Sequence, residues 1–425
     1  MPESLNTPSP LPSGAPVSPG ASDAQVSPDA HAASGAQVSR PLRLEPLRAW
    51  RFVAGRVSTL GAVTSPPYDV LEPALVRRLT DSDLHNMVRL ILPRDQDLGP
   101  SRYDQAAVRL TDWQHAGVVV QDAKPALYVY EQRLGDAFLC GLIGALGLDP
   151  GGHVVLPHED TMPNWVDDRF TLMEATDADL EPILLAYTGG GAASDAIDEA
   201  RAGVPWLVAD SENGATHTIW RIDSPTTLAA IAADLATREA LIADGHHRYA
   251  AYLERNRREP DRPGTDLGLA MLVDHGRHPL TLDAIHRTVP GLSLETVLSR
   301  TPEGWRVVPG RQQDDAHRLS VFDGTSWLTL YRTDARTSPA AVAKPEVSLL
   351  HEELFPAWGV DPEPVGFHHR LADALAQATV ATAVIELDPP RLDQVLSTAA
   401  HGARLPQKAT SFGPKPRTGL LFRTL

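Results

Sequence analysis

The chain has 425 residues, of which 42% are hydrophobic and 22% charged, values typical of a globular protein with room for two or three domains. Its formal net charge of −16 argues against a duplex-DNA partner, because DNA binding needs a basic surface that displaces counterions from phosphates. The single cysteine, Cys140, excludes an internal disulfide framework and favours a reducing, cytoplasmic location.

Residues 1–40 are predicted to form a disordered tail. They are mostly Ala, Gly, Pro and Ser and contain no aromatic residue, so they bury too little apolar surface to offset their ordering entropy. No apolar run reaches the roughly 20 residues that span a bilayer, and we expect neither a signal peptide nor a membrane partner. The folded part is predicted to form an N-terminal α/β lobe over 41–225 and a C-terminal α/β lobe over 226–425.

In the N-terminal lobe, helix and strand patterns alternate along the chain. Apolar residues at helical spacing predict three helices, over residues 75–79, 103–114 and 167–175. β-rich or alternating runs predict four strands, over residues 126–131, 137–146, 182–187 and 216–222. Gly135-Asp136 separates the first two strands and predicts a hairpin between them.

The C-terminal lobe repeats this mixture, so the predicted fold class is mixed α/β or α+β. Predicted helices cover residues 226–236, 248–258 and 392–400, and a further one ends the segment 362–378. Predicted strands cover residues 240–243, 267–273, 280–289 and 380–387. We expect the strands over 267–273 and 280–289 to pair around a polar turn.

The strongest local motif is Asp244-Gly245-His246-His247-Arg248, between a predicted strand and a predicted helix. The first turn of a helix has free N–H groups and the positive end of the dipole, which favour an anion. Arg248 is unfavourable at this end unless an external anion such as phosphate balances it. The structural alternative is that Asp244 caps the helix and pairs with Arg248.

A second motif combines His158 and Glu159 with Asp168 and Arg169 downstream. These side chains can supply a general base, or oxygen ligands for a hard cation such as Mg²⁺. The spacing matches no zinc pattern. The alternative is a polar loop followed by a helix whose Asp167 and Asp168 serve the helix N-terminus.

Three weaker motifs accompany these two. Asp69 ends a stiff proline loop, His286 and Arg287 lie at the end of a predicted strand, and Lys408 and Lys415 lie in a polar loop that is suited to phosphate. The alternatives are an ordinary turn for the proline loop, a surface pair for the histidine and arginine, and a solvated tail for the loop with the two lysines. Neither a P-loop nor a dinucleotide-binding glycine signature is present, and the serine hydrolase elbow is absent too.

Six motifs in order resemble the bacterial and archaeal family called domain of unknown function 1015, or DUF1015. They are SPPYDV (65–70), LPHEDT (156–161), DDRF (167–170), IADGHHRY (242–249), AIHRTV (284–289) and LPQKATSFGPK (405–415). The resemblance extends over residues 42–422. The sequence departs from the family at 410–412, where Thr-Ser-Phe replaces a tyrosine and phenylalanine pair, and at His368-His369, which replace a more acidic sequence.

The Asp-Gly-His-His-Arg motif is also similar to the signature of the ParB/sulfiredoxin superfamily, which includes nucleotide-binding proteins such as free-serine kinases. The resemblance implies a ParB/sulfiredoxin-like nucleotide-binding core with an additional α/β lobe. It also implies that Gly245, His246, His247 and Arg248 hold the phosphates of a nucleotide, ATP or ADP. Asp244, in the same motif, is a further predicted nucleotide-binding residue.

We therefore expect a nucleotide-dependent phosphotransferase that acts on a small hydroxylated metabolite such as serine. The residues predicted to assist phosphate binding are Arg169, His286, Arg287 and Lys408. Glu159 is predicted to be the base, with His158 and Asp69 as further catalytic candidates, while Asp168 and Asp244 hold Mg²⁺. The alternatives are a non-catalytic nucleotide-binding regulatory protein and a metal-dependent phosphohydrolase that uses His158, Glu159, His246 and His247.

The kinase hypothesis makes a geometric prediction. Glu159 and the pair His246 and His247 follow different strand-like runs, and loops at strand ends commonly gather at one rim of a sheet. A phosphate cradle cannot react without a carboxylate within hydrogen-bond reach of the acceptor hydroxyl. We therefore expect Glu159 to lie in the same cleft as the two histidines.

Overall fold

The computed structural model describes residues 41–94, 101–312, 318–333 and 344–425. The tail predicted over 1–40 lies outside the described residues. The described residues belong to one compact unit.

The strands are named here in chain order. Those of the first half are β1 (Leu44–Glu45), β2 (Trp50–Phe52), β3 (Val119–Gln121), β4 (Leu127–Leu134), β5 (Ala137–Gly147), β6 (Val155–Leu156), β7 (Ala178–Asp179), β8 (Ile183–Tyr187), β9 (Leu207–Asp210) and β10 (Thr216–Ile222). Those of the second half are β11 (Ala240–Asp244), β12 (Leu267–Asp274), β13 (Thr281–Asp283), β14 (His286–Pro290), β15 (Trp305–Pro309), β16 (Arg318–Phe322), β17 (Trp327–Arg332), β18 (Gly366–His368), β19 (Thr382–Leu387), β20 (Ser411–Gly413) and β21 (Arg423–Thr424).

The α-helices are named in the same way. They are α1 (Pro73–Ser82), α2 (Val88–Ile91), α3 (Arg102–His115), α4 (Pro163–Thr176), α5 (Ala192–Ala202), α6 (Pro225–Leu235), α7 (His246–Arg258), α8 (Leu294–Arg300), α9 (Glu346–Leu349), α10 (Phe355–Trp358), α11 (Leu371–Leu375) and α12 (Leu392–Ala400). Short 3-10 turns cover Ala54–Arg56 and Tyr68–Val70, and a π-helical turn, Leu350–Leu354, joins α9 to α10. None of the helices in the described ranges combines the length and apolar character needed to cross a membrane.

A nine-stranded mixed sheet forms the centre of the fold. Its order is β6-β11-β8-β12-β5-β4-β10-β9, with β1 paired to β5. The pairs β6–β11 and β8–β12 are parallel, and the others are antiparallel. Strands β8, β11 and β12 are almost wholly apolar and buried, which is typical of strands covered on both faces.

A six-stranded antiparallel sheet, of order β15-β17-β16-β19-β14-β18, comes entirely from the second half of the chain. Its apolar side chains share a core with one face of the large sheet, where Met271 meets residues such as Val321 and Ile385 in the same cluster. The other face of the large sheet is covered by helices α4 to α7, through residues such as Phe170 and Tyr252. The helices and the six-stranded sheet thus enclose the large sheet from both sides.

The structure confirms most of the predicted elements and the mixed α/β class. The hairpin at Gly135-Asp136 joins β4 to β5, with Leu134 opposite Ala137. The predicted pairing of 267–273 with 280–289 is wrong, because β12 pairs with β5 and β8 whereas β13 and β14 pair with β20, β18 and β19. The large sheet takes strands from both sides of Pro225, so it crosses the boundary that was predicted there.

Candidate functional site

A polar pocket of about 450 Å³ lies where β11 meets α7. Six segments that are distant in sequence line it: the loop after Ser65, the loop after β6, the end of β11 with the start of α7, the residue before β14, the residue after β18 and the segment around β20. Its lining residues are Tyr68, Asp69, Glu159, Ala243, Asp244, Gly245, His246, His247, Arg248, Ile285, His369, Lys408, Thr410 and Lys415. The prediction that Glu159 shares a cleft with His246 and His247 is therefore confirmed.

The strand–turn–helix around Gly245 is built as the motif predicts. Gly245 has φ 96°, and a Cβ at this position would lie 2.8 Å from Cγ2 of Ile183, so no other residue fits without strain. Helix α7 begins directly afterwards at His246. The N–H groups of its first turn have no acceptor one turn earlier in the helix, and together with the dipole they favour an anion in the pocket.

Arg248 has partners within the protein. Its guanidinium is 2% exposed, donates to Asp244 Oδ2 at 2.5 Å and to the Pro182 carbonyl at 2.6 Å, and carries a raised pKa because Asp244 and Glu181 outweigh the effect of burial. An external anion is not needed to balance this cation, so that part of the prediction is wrong. The structural alternative holds in part: Asp244 pairs with Arg248, but its side chain does not cap α7.

Asp69 and Lys415 form the centre of a charged cluster. Nζ of Lys415 lies 2.9 Å from Asp69 Oδ2 and also contacts Asp244, while Nζ of Lys408 lies 3.6 Å from Asp69 Oδ2. Burial raises the pKa of Asp69, but Lys415, Lys408 and Arg248 more than offset this and hold it far below its ordinary value. The second oxygen, Oδ1, is buried and has no hydrogen-bond partner among the described residues.

Glu159 also lines the pocket but lies in a different environment. Its Oε1 accepts from the backbone N–H of Thr410 at 2.7 Å and from the Thr410 hydroxyl. Burial raises the pKa of Glu159, and the hydrogen bonds from Thr410 together with the charges of Lys408 and Arg287 offset this only in part. Oε2 has no hydrogen bond to the described residues, so it is available to accept a proton.

The histidines of the site are neutral at pH 7. Nε2 of His246 accepts from the backbone N–H of His158 at 3.3 Å, and Nε2 of His247 accepts from that of Met162 at 3.0 Å. Burial lowers the pKa of His246 well below its ordinary value and that of His247 to about 4. His158, with a pKa lowered by burial to about 3, lies behind the lining, with its Nε2 2.8 Å from Thr410 Oγ1. It supports Glu159 through Thr410 and is not among the pocket-lining side chains.

Asp168 and Arg169 are absent from the lining of the pocket. Oδ1 of Asp168 accepts from Arg102 and Tyr103 at 2.7 Å, and Oδ2 accepts from Nε of Arg169 at 2.8 Å. Arg169 also donates to the Ile91 carbonyl and stacks its guanidinium 4.1 Å from the centre of the Tyr68 ring. The structure therefore does not place Asp168 and Arg169 in their predicted metal and phosphate roles: Arg169 packs against Tyr68, and Asp168 accepts a hydrogen bond from Arg169.

His286 and Arg287 are also displaced from their predicted role at the phosphates. Nδ1 of His286 accepts from the backbone N–H of Leu387 at 3.3 Å within the six-stranded sheet. Arg287 is fully buried, donates to the carbonyl oxygens of Ile285 at 2.6 Å and Lys408 at 2.8 Å, and has a pKa lowered by burial to about 9. Lys408 has φ 55°, so Arg287 fixes the strained backbone from which the Lys408 side chain extends.

The described residues contain no metal site that is formed by protein ligands alone. Within residues 41–94, 101–312, 318–333 and 344–425, no group of three or more His, Cys, Asp or Glu side chains can hold a metal ion. Nε2 of His246 and Nε2 of His247 are already acceptors for backbone N–H groups. The metal-dependent phosphohydrolase alternative therefore lacks its donor set among these residues.

Four polar lining residues were not among the predicted catalytic, nucleotide-binding or metal-binding residues. Tyr68, Thr410 and Lys415 belong to motifs that were recognised, and their neighbours Asp69 and Lys408 were the ones assigned. His369 has no motif; its Nδ1 lies 3.0 Å from Ser411 Oγ, and the only signal was its departure from the acidic family pattern. Each of the other three lies in the same motif as a residue that was assigned a role, and this proximity could have identified it.

The chain belongs to the family described as "Protein of unknown function (DUF1015)", whose model matches residues 44–351. The pocket residues His369, Lys408, Thr410 and Lys415 lie beyond the matched segment. No protein of curated function matches the chain in sequence.

Solved structures resemble the chain only distantly. SbnI with a C-terminal truncation, from Staphylococcus aureus, is 13% identical over 65% of this chain and 85% of that one, with a TM-score of 0.40. A conserved hypothetical protein from Pyrococcus furiosus is 14% identical over 63% and 90%, with a TM-score of 0.35. A free serine kinase in complex with AMP is 14% identical over 63% and 89%, also with a TM-score of 0.35. At 13–14% identity and TM-scores of 0.35–0.40, the likeness identifies neither a ligand nor a reaction for this chain.

Proposed function

We propose that this member of a family of unknown function transfers a phosphoryl group from a nucleotide, ATP or ADP, to the hydroxyl group of a small metabolite such as serine. One observation carries the proposal. A single pocket contains the start of α7, two lysines and two carboxyl groups whose pKa values are moved in opposite directions. Phosphoryl transfer depends on these features, because it requires positioned cations and one well-placed base.

The start of α7 is the proposed phosphate site. Backbone N–H groups of His246 and His247 and the helix dipole attract the phosphates, as at other strand–turn–helix sites. Lys408 and Lys415 also line the pocket. Lys415 is paired with Asp69 and Asp244, so the ammonium group of Lys408, which lies farther from Asp69, is the one proposed to stabilise the charge on the transferred group and on the leaving phosphate. We also propose that β11, Gly245 and α7 form the ParB/sulfiredoxin-like core that the motif resembles.

Glu159 is the proposed general base. A base works best when its pKa lies near the operating pH, and burial moves the pKa of Glu159 upward in that direction. Its free Oε2 takes the proton of the acceptor hydroxyl while the hydroxyl oxygen bonds to phosphorus. The bond from phosphorus to the leaving phosphate oxygen breaks in the same step. Asp69, held ionised by its lysines, keeps its negative charge throughout.

Asp69 is also the residue that fits Mg²⁺. Its Oδ1 is a buried carboxylate oxygen with no hydrogen-bond partner in the described part of the chain, and Mg²⁺ at nucleotide sites is usually held by one or two carboxylates together with phosphate oxygens. When bound, the ion neutralises phosphate charge. Asp244 is a weaker candidate than predicted, because Arg248 and Lys415 already occupy both of its oxygens.

A thermal-shift screen with ATP, ADP, CTP and GTP, with and without Mg²⁺, tests binding, since ligand at a hundred times its dissociation constant adds about 2.7 kcal/mol. Turnover is then followed with a panel of hydroxylated acceptors that includes serine. Binding with turnover supports the proposal. Binding without turnover on any acceptor favours the non-catalytic regulatory alternative, and absence of binding overturns both.

A further inference from the structure

A second pocket, of about 750 Å³, adjoins the first and shares His369 and Lys415 with it. It lies between the loop after Ser65, the outer part of β4, the β9–β10 turn and the segment around β20. A ligand that passes His369 and Lys415 can occupy both pockets, because these two residues line each of them.

The second pocket is electrically neutral. Arg417 donates to Glu212 and also to Thr64, with Nη1 of Arg417 3.2 Å from Glu212 Oε1. Lys415 is neutralised by the carboxylates of the first pocket. His369 is uncharged at pH 7, because burial and the two nearby lysines lower its pKa to about 4. A charged ligand group would find no free counter-charge among these side chains.

The lining combines apolar surface with hydrogen-bond donors. Pro66, Pro67, Val70 and Phe412 supply the apolar part. The amide oxygen of Gln132 accepts from the Tyr130 hydroxyl at 2.8 Å, and that of Asn213 accepts from the Ala215 N–H at 3.1 Å. Their NH₂ groups have no acceptor in the part of the chain that the structure describes. These two donors suit a neutral, flat ligand that carries hydrogen-bond acceptors.

We propose that the second pocket binds the nucleoside of the phosphoryl donor, with its phosphates extending past His369 and Lys415 to the start of α7. The inference rests on the proposed function. A nucleobase is flat, neutral and rich in acceptors, and so matches apolar walls with two NH₂ groups. An amino-acid acceptor such as serine fits less well, because its carboxylate and ammonium groups would remain unpaired in this neutral pocket.

The test compares a nucleotide with inorganic tripolyphosphate, which carries the phosphates without the nucleoside. Calorimetry gives the dissociation constants of tripolyphosphate and of the tightest binder among ATP, ADP, CTP and GTP. The Gln132→Trp variant fills the second pocket from β4 and should weaken nucleotide binding at least about tenfold, while tripolyphosphate changes less than about twofold. Leu134→Trp, on the same strand at a 40% exposed position outside the pocket, is the control and should leave both constants unchanged.

Gln132→Ala is the milder variant, should the tryptophan prevent folding. Loss of one amide hydrogen bond should weaken the nucleotide about threefold to tenfold and leave tripolyphosphate unchanged. Nucleotide affinity that is unchanged in both Gln132 variants overturns the inference. Equal affinity of the unaltered protein for nucleotide and tripolyphosphate overturns it too. Neither result contradicts the proposed phosphate site. Absence of binding by both probes overturns the proposed function as well.

Discussion

Glu159 and Asp69 face the same pocket, and burial acts on both carboxyl groups in the same direction. The partners differ. Glu159 is bonded to the neutral Thr410, whereas Asp69 is in contact with the ammonium groups of Lys415 and Lys408. As a result, the pKa of Glu159 is raised and that of Asp69 is lowered.

The difference shows that depth of burial does not decide which carboxyl group can act as a base. The charge of the nearest partner decides it, because an opposite charge at short range offsets the cost of desolvation and a hydroxyl group offsets less of it. A carboxyl with a raised pKa can take and return a proton near neutral pH, whereas one held ionised serves as a fixed charge.

The most severe test of this comparison is Glu159→Gln. The amide keeps an oxygen for the Thr410 N–H but cannot take a proton, so turnover should fall by about two to four orders of magnitude. Nucleotide affinity, measured by calorimetry, should stay within a few-fold. A variant that retains its turnover would move the role of base to Asp69.

Arg248→Ala removes a cation from the Asp69 side. The variant leaves Asp244 and Glu181 with one positive partner fewer in a buried site, which should lower the free energy of unfolding by about 3–5 kcal/mol. Urea denaturation measures this. Arg258→Ala, which removes a 48% exposed partner of Glu254 on the same helix, is the matched control and should cost less than about 1 kcal/mol. Unchanged stability with lost nucleotide binding would instead restore the phosphate role predicted for Arg248.

The pH dependence of turnover should show which carboxyl group titrates in the working range. A base must be ionised, so kcat/KM should rise about tenfold per pH unit up to the pKa of Glu159, which lies above its ordinary value of 4.5. Asp69 is already ionised in this pH range, so its titration adds no further slope to the pH profile of kcat/KM. A profile whose acid limb lies below pH 4.5 would contradict the assignment of the base to Glu159.

His369 adds a titratable group to the Asp69 side. Its pKa is about 4 in the folded state and 6.5 ordinarily, so between these values the unfolded chain binds more protons and stability falls as the pH is lowered. From pH 7 to pH 5, His369→Gln should therefore lose about 2 kcal/mol less stability than the unaltered protein, as measured by urea denaturation. The exposed His401→Gln is the control, and an equal loss in all three proteins would show that His369 contributes no such dependence.

Short-range features of the site could be predicted from the sequence. The residues from Ile242 to Tyr249 form a strand, a glycine turn and a helix because each local preference agrees with the others. The convergence of Glu159 with His246 and His247 followed from the position of loops at strand ends.

Long-range partners could not be predicted in this way. Glu181 and the Pro182 carbonyl, which hold Arg248, belong to a buried segment without any motif. The polar turn after β12 resembles a hairpin, yet β13 pairs with β20, more than a hundred residues further along the chain. Such pairings depend on the packing of whole layers, which a local pattern of residues does not encode.

The contact between Asp69 and Lys415 joins residues that are 346 positions apart. During synthesis on the ribosome, a nascent chain therefore carries Asp69 for most of its elongation without the cation that stabilises it. Closure of so long a loop is slow, because its entropy is lost before the contact forms. A chain that is truncated before Lys415 should therefore lack a working pocket even when its central sheet has formed.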